Sequence, residues 1–102
     1  MIVLKTSIVK NVNSQGRLCL IKDFCEYAGI KQNDGVVISK GNNDNELYII
    51  SLEKVLDSQE VIAFSKVDNK YRIIIPKEIR QNDKSFELSV TKKAIIVRKE
   101  IN

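Results

Sequence analysis

The sequence predicts a mainly β chain with short helices, built from two β-β-α-β-β units that interlock around one core. Three observations carry this reading. A thirteen-residue pattern, V-[ND]-x-x-x-R-Φ-x-Φ-x-K-[DE]-Φ with Φ apolar, runs from Val12 to Phe24 and again from Val67 to Ile79, at a constant offset of 55 residues. Short apolar or alternating runs of strand type flank both copies. Turn-forming tetrapeptides, Asn13-Ser14-Gln15-Gly16 and Asp68-Asn69-Lys70-Tyr71, sit at equivalent places inside them. A repeat at fixed spacing outranks any single-element signal, because each copy must then adopt the same local structure.

In chain order, Ser7–Val12 and Arg17–Ile21 read as strands around the first turn, so the unit is expected to open with a β-hairpin. Lys22–Ala28 reads as a helix, and Gly29 suits its C-terminal stop. A second hairpin joins Val36–Lys40 to Leu47–Ser51 around Gly41-Asn42-Asn43-Asp44-Asn45, a flexible turn without the spaced ligands of a calcium loop. Leu52–Glu60 links the units and has room for one or two helical turns; fully extended it reaches ~30 Å, which permits pairing within one chain or between two. The second unit repeats the order. Val61–Val67 and Arg72–Ile75 form the opening hairpin, and Ile73-Ile74-Ile75 is expected in the core. Pro76 starts a helix at no hydrogen-bonding cost, since the first turn leaves its amides unpaired. That helix is shorter than its counterpart. Phe86–Thr91 and Ala94–Lys99 close the unit around Lys92-Lys93, with Val36-Val37-Ile38 parallel to Phe86-Glu87-Leu88 and Leu47–Ile50 parallel to Ala94–Val97. The organisation is thus a first repeat over 1–51, a linker over 52–60 and a second repeat over 61–102, together one compact domain. A two-stranded hairpin is marginal alone, so the copies are expected to share a core within the chain.

The 102 residues are 43% hydrophobic and 29% charged, which suits a globular domain and excludes global disorder. No apolar run approaches the roughly 20 residues that cross a bilayer. The apolar start at Met1 is broken by Lys5, Thr6 and Ser7, too soon for a signal peptide, so a cytoplasmic location is expected. Cys19 and Cys25 form neither a CxxC nor a disulfide framework and read as buried or half-buried thiols. Histidine is absent, which removes the commonest general base and metal ligand. With no phosphate loop and no nucleophile motif, no enzyme activity, cofactor or metal is expected. Net charge is +4, carried mostly by residues 52–102. Such a charge permits nucleic-acid binding without demanding it.

The segment Val67-Asp68-Asn69-Lys70-Tyr71-Arg72-Ile73-Ile74-Ile75-Pro76-Lys77-Glu78-Ile79-Arg80 resembles the signature of the SpoVT/AbrB superfamily. The first copy resembles it more weakly, through Val12–Leu18 and then Tyr27-Ala28-Gly29-Ile30-Lys31-Gln32-Asn33-Asp34. The tandem arrangement is similar to that of the MraZ regulators. The resemblance implies an AbrB/MraZ-like swapped-hairpin barrel that binds duplex DNA and regulates transcription in the cytoplasm as a nucleoid-associated protein. A homodimer is also expected, since regulators commonly read two half-sites. It carries DNA contact over to Arg17, Arg72 and Arg80, with Lys70, Lys77 and Lys22 as weaker candidates. Asn13 and Asp68 take the arginine-orienting or turn position. The sequence departs from the pattern at Tyr71 (glycine is usual), Ile21 (proline is usual) and Cys25, which stands where an arginine paired to Arg80 is expected. Those departures support the alternative, a protein-interaction module such as an antitoxin or inhibitor that has lost DNA binding.

Each candidate also has a plainer role. Arg17 and Arg72 can form ion pairs with a neighbouring carboxylate such as Asp68. Asp68 can cap its own turn, hold Arg72, or do both. Tyr71 reads as a surface turn residue packed on its hairpin. Lys92, Lys93, Arg98 and Lys99 read as a solvated basic face.

Overall fold

A computed structural model describes residues 7–81 and 83–99; the readings placed on 1–6, on Asn82 and on 100–102 lie outside the described residues. The chain is mainly β with two short helices. In order come β1 (Ile8–Asn11), β2 (Arg17–Cys19), α1 (Lys22–Ala28), β3 (Gly35–Lys40) and β4 (Glu46–Ser51). A single 3-10 turn at Leu52–Lys54 follows, then β5 (Val61–Lys66), β6 (Arg72–Ile74), α2 (Lys77–Arg80), β7 (Ser85–Val90) and β8 (Ile95–Lys99). Helix α1 ends at Gly29, whose φ of +75° few other residues tolerate, and the Lys54 ammonium donates to the Ala28 carbonyl at 3.1 Å. Helix α2 is one turn after Pro76, because the second copy lacks the residues that lengthen α1.

The strands form a six-stranded antiparallel sheet in the order β1-β7-β8-β4-β3-β5 and a separate two-stranded ribbon, β2-β6. The closing hairpins β3–β4 and β7–β8 are as the sequence predicts. The opening hairpins are not. Beyond the turn at Asn13–Gly16, closed by the Asn13 amide on the Arg17 carbonyl at 3.0 Å, the two strands part. Strand β1 pairs with β7, and β2 pairs with its own copy, β6. The second unit does the same, sending β5 to β3. Four of the six strand pairings therefore join the two halves within the one chain. The physical reason is burial: a strand that stayed on its local partner would leave the apolar face of each unit in water.

The registers obey an approximate two-fold. Leu18 pairs with Ile73 at the centre of the ribbon. Ile8 pairs with Leu88, and its counterpart Ala63 pairs with Ile38. In the closing hairpins Lys40 pairs with Leu47 and its counterpart Val90 pairs with Ile95, which makes Leu47 equivalent to Ile95. The sequence alignment of Leu47 with Ala94 is thus one residue out, a slip that would turn every side chain of the strand to the wrong face. The core holds Leu18, Leu20, Phe24, Ile30, Ile38, Ile49, Ile73, Ile75, Phe86, Leu88, Ile95 and Val97. Each buried side chain of this size contributes roughly 1.5–3 kcal/mol by leaving water. The triple isoleucine is not all core: Ile73 and Ile75 are buried, while Ile74 between them is 53% exposed.

A second correction concerns the basic face. The Arg98 guanidinium bonds Glu46 on β4 and, at 3.1 Å, Glu87 on β7, the residues directly opposite it on either side. Lys99 pairs with Asp83 at 3.6 Å. Arg98 thus links three strands while staying exposed, Lys99 ties β8 to the loop ahead of β7, and Lys92 and Lys93 are exposed turn residues as expected. The pattern of charges alone did not show that strands β4 and β7 bring acids to both sides of Arg98.

Candidate nucleic-acid interface

The ribbon β2–β6 is three residue pairs long, roughly 10 Å. Because side chains alternate along a strand, burying Leu18 and Ile73 turns Arg17, Cys19, Arg72 and Ile74 to the opposite, outer face. Arg17 stands opposite Ile74, and Cys19 opposite Arg72. The two arginines occupy one diagonal, with side-chain origins roughly 7–8 Å apart. The ladder continues past both ends, through the Leu20 amide on the Tyr71 carbonyl at 2.7 Å and the Ile75 amide on the Gly16 carbonyl at 2.9 Å. Each turn therefore closes one end of the ribbon, and a helix leaves beside it.

The two turns share a backbone and differ in what they do to their arginine. At one end the Asn13 Oδ1 accepts from the Gln15 and Arg17 amides, both at 2.9 Å. At the other, the Asp68 Oδ1 accepts from the Lys70 and Arg72 amides, both at 2.8 Å. The remaining atom decides the arginine. Asp68 Oδ2 accepts from Arg72 Nε at 2.8 Å. Asparagine offers no second acceptor, so Arg17 turns its Nη1 to the Gln15 amide oxygen at 2.7 Å. Burial by itself pushes the Asp68 carboxyl upward, but the Arg72 and Lys70 amides and the Arg72 guanidinium outweigh it and hold the carboxyl below its usual range. Asp68 thus both shapes its turn and orients Arg72.

Arg80 ends α2 and donates Nε to the Ile75 carbonyl at 3.2 Å. Its guanidinium lies over Gly16, where an added Cβ would come within 3.1 Å of Nε and Nη2. Gly16 has a φ of +79°, so both its backbone and its neighbour exclude a side chain. At the equivalent position of the other end stands Tyr71, half-buried against the core with a φ of +59°. The residue equivalent to Arg80 is the buried Cys25. One end has glycine with an arginine lying over it; the other has tyrosine, and the buried Cys25 stands where that overlying arginine would be. Burial pushes the Cys25 thiol up to about 12, with Cys19 and Glu26 adding to it.

Lys70 is exposed in its turn. Lys22 and Lys77 are exposed at the first residues of α1 and α2, and Lys22 lies 4.0 Å from Glu26. The structure thus gathers Arg17, Arg80 and Lys77 at one end of the ribbon and Arg72, Lys70 and Lys22 at the other. Sequence reasoning missed Gln15, Gly16 and Ile74. Gln15 aligns with Lys70, so the repeat marked its place, but only the turn geometry shows that it holds Arg17. Among the described residues no cluster of three His, Cys, Asp or Glu side chains could hold a metal ion, and no helix is long and apolar enough to cross a membrane.

No family model matches the chain, and no curated protein matches it. Among solved structures the chain is similar to the solution structure of PHS018 from Pyrococcus horikoshii, at 16% identity and a TM-score of 0.47, over 99% of this chain and 100% of that one. A likeness of that degree assigns neither family nor activity.

Proposed function

We propose that this chain is a transcriptional regulator that binds duplex DNA through the outer face of the β2–β6 ribbon, on a swapped-hairpin barrel of the SpoVT/AbrB and MraZ kind. The observation that carries the reading is the pair of arginines, Arg17 and Arg72, on one diagonal of a two-stranded antiparallel ribbon. A ribbon of this width enters a major groove, where an arginine reaches phosphates or forks onto a guanine edge. The exchange of β1 and β5 between halves supports the barrel, as does the equivalent placement of both turns. Arg80, Lys70, Lys77 and Lys22 surround the ribbon ends and add phosphate attraction.

The test is fluorescence anisotropy with random-sequence duplex DNA over a salt series, for the wild type and the Arg17→Ala/Arg72→Ala double variant. The reading expects binding that weakens steeply with salt, because bound cations release condensed counterions. It expects the double variant to lose most of that binding. A folded wild type that binds no duplex at low salt overturns it.

One observation favours the alternative, a protein-interaction module. Among the described residues, five of the seven exposed large apolar side chains, Leu52, Leu56, Val61, Ile62 and Phe64, fall within the linker and edge strand β5. Clustered exposed apolar surface marks protein contacts. The same salt series separates the two readings.

A further inference from the structure

The two ends of the ribbon are alike in backbone and unlike in the group that holds the arginine. At the Asn13 end stand Arg17, Lys77 and Arg80 with the acids Glu78 and Asp83, and Asp83 is bonded through its amide to the Arg80 carbonyl and pairs with Lys99. At the Asp68 end Lys22, Lys66, Lys70 and Arg72 stand with Asp23, Glu26 and Asp68, so the ends differ less in total charge than in whether a carboxylate holds the ribbon arginine. Arg72 is tied through Nε to a carboxylate at 2.8 Å, so its charge is compensated and its direction set, while among the described residues neither terminal nitrogen is hydrogen-bonded. Arg17 donates one bond to the neutral Gln15 amide, and among the described residues no carboxylate pairs with it. Phosphate attraction depends on net charge, whereas base readout depends on a fork held in a fixed direction.

Resting on the DNA-binding reading above, we propose that the ribbon reads an asymmetric duplex site: Arg72, clamped by Asp68, is the base-reading arginine, and Arg17 with Arg80 forms a phosphate clamp at the other end. The ligand class is therefore duplex DNA whose preferred site is not a palindrome across one barrel, with a guanine edge under the Asp68 end. The near two-fold of the backbone would suit a symmetric site; the Asp68/Asn13 and Cys25/Arg80 differences break that symmetry. Ile74, exposed directly opposite Arg17, adds apolar contact on the clamp side.

The experiment selects a preferred duplex from a random pool with the wild-type protein. It then measures salt-dependent binding of that duplex and of a scrambled one. The variants are Arg72→Lys, Arg17→Ala, Arg80→Ala and Asp68→Asn, each checked for folding by circular dichroism. Arg72→Lys keeps the charge and loses the fork, so discrimination between the duplexes should fall about 5- to 150-fold with the salt slope unchanged. Arg17→Ala and Arg80→Ala should weaken both duplexes equally and lower the slope by about one each. Asp68→Asn keeps Arg72 but frees it and removes a negative charge, so scrambled binding should rise while discrimination falls. The inference is overturned if the stretch covered by a single barrel is itself palindromic, or if Arg72→Lys and Arg17→Ala behave alike. A wild type that binds no duplex overturns the DNA reading itself, and with it this inference.

Discussion

Replacing Asp68 by asparagine takes away one acceptor and leaves the turn intact. Oδ1 can still receive the Lys70 and Arg72 amides, as the natural Asn13 receives those of Gln15 and Arg17. What goes is the bond from Arg72 Nε to Oδ2, which an amide nitrogen cannot accept. The two side chains are 28% and 30% exposed, so the pair lies between two reference cases. A fully exposed pair contributes at most ~1 kcal/mol, and a charge-assisted hydrogen bond ~1.5–3 kcal/mol. A loss of about 1 kcal/mol is expected at neutral pH, which lowers the melting midpoint of a domain this size by about 4–8 °C. The pH dependence is a sharper test. The folded carboxyl titrates below its ordinary value of about 3.9. The contribution is therefore complete above that value and disappears as pH falls through the lower, folded one. Thermal melts followed by circular dichroism at pH 7, 5 and 2.5 should show a gap between wild type and Asp68→Asn at the first two and a smaller one at the last. Equal midpoints at pH 7, or a gap that does not shrink between pH 5 and pH 2.5, would refute the reasoning.

Three more outcomes follow from the same geometry. Gly16→Ala places a Cβ against Arg80 and forces alanine into the left-handed region, costing about 1–2 kcal/mol from the backbone alone; urea titration measures it. In native protein at pH 8, a thiol reagent should label Cys19 and spare Cys25, whose thiol is buried and pushed up to about 12, whereas both react in denaturant. Since the folded Cys25 value is the raised one, its contribution to stability is present below about pH 9 and is lost as pH rises toward 12; Cys25→Ala should flatten that alkaline decline. Arg98→Leu strands the Glu46 carboxylate, 5% exposed, and should lower the denaturation midpoint, with Glu46→Gln in the same chain restoring part of it.

Local structure was legible because local physics decides it. Helix α1 occupies Lys22–Ala28 as the spacing and Gly29 predict, and both closing hairpins occur where their turn residues put them. The 55-residue repeat placed Arg17 beside Arg72 in role, and Asn13 beside Asp68, before any coordinates. Partner choice was not legible. A strand such as Arg17–Cys19 hydrogen-bonds equally well to β1 or to β6, and only the burial of Leu18, Leu20, Ile73 and Ile75 in one shared core selects β6. The shared core also turned Ile74 out into solvent, and the pairing of β4 with β8 brought Glu46 to Arg98, whose partner within its own hairpin is Glu87. It also set Arg80 over Gly16, a contact between residues 64 positions apart. Hydrogen-bonding capacity is a property of the residue and its neighbours in the chain; which distant edge satisfies it depends on the apolar area buried by the whole, and only the tertiary structure holds that sum.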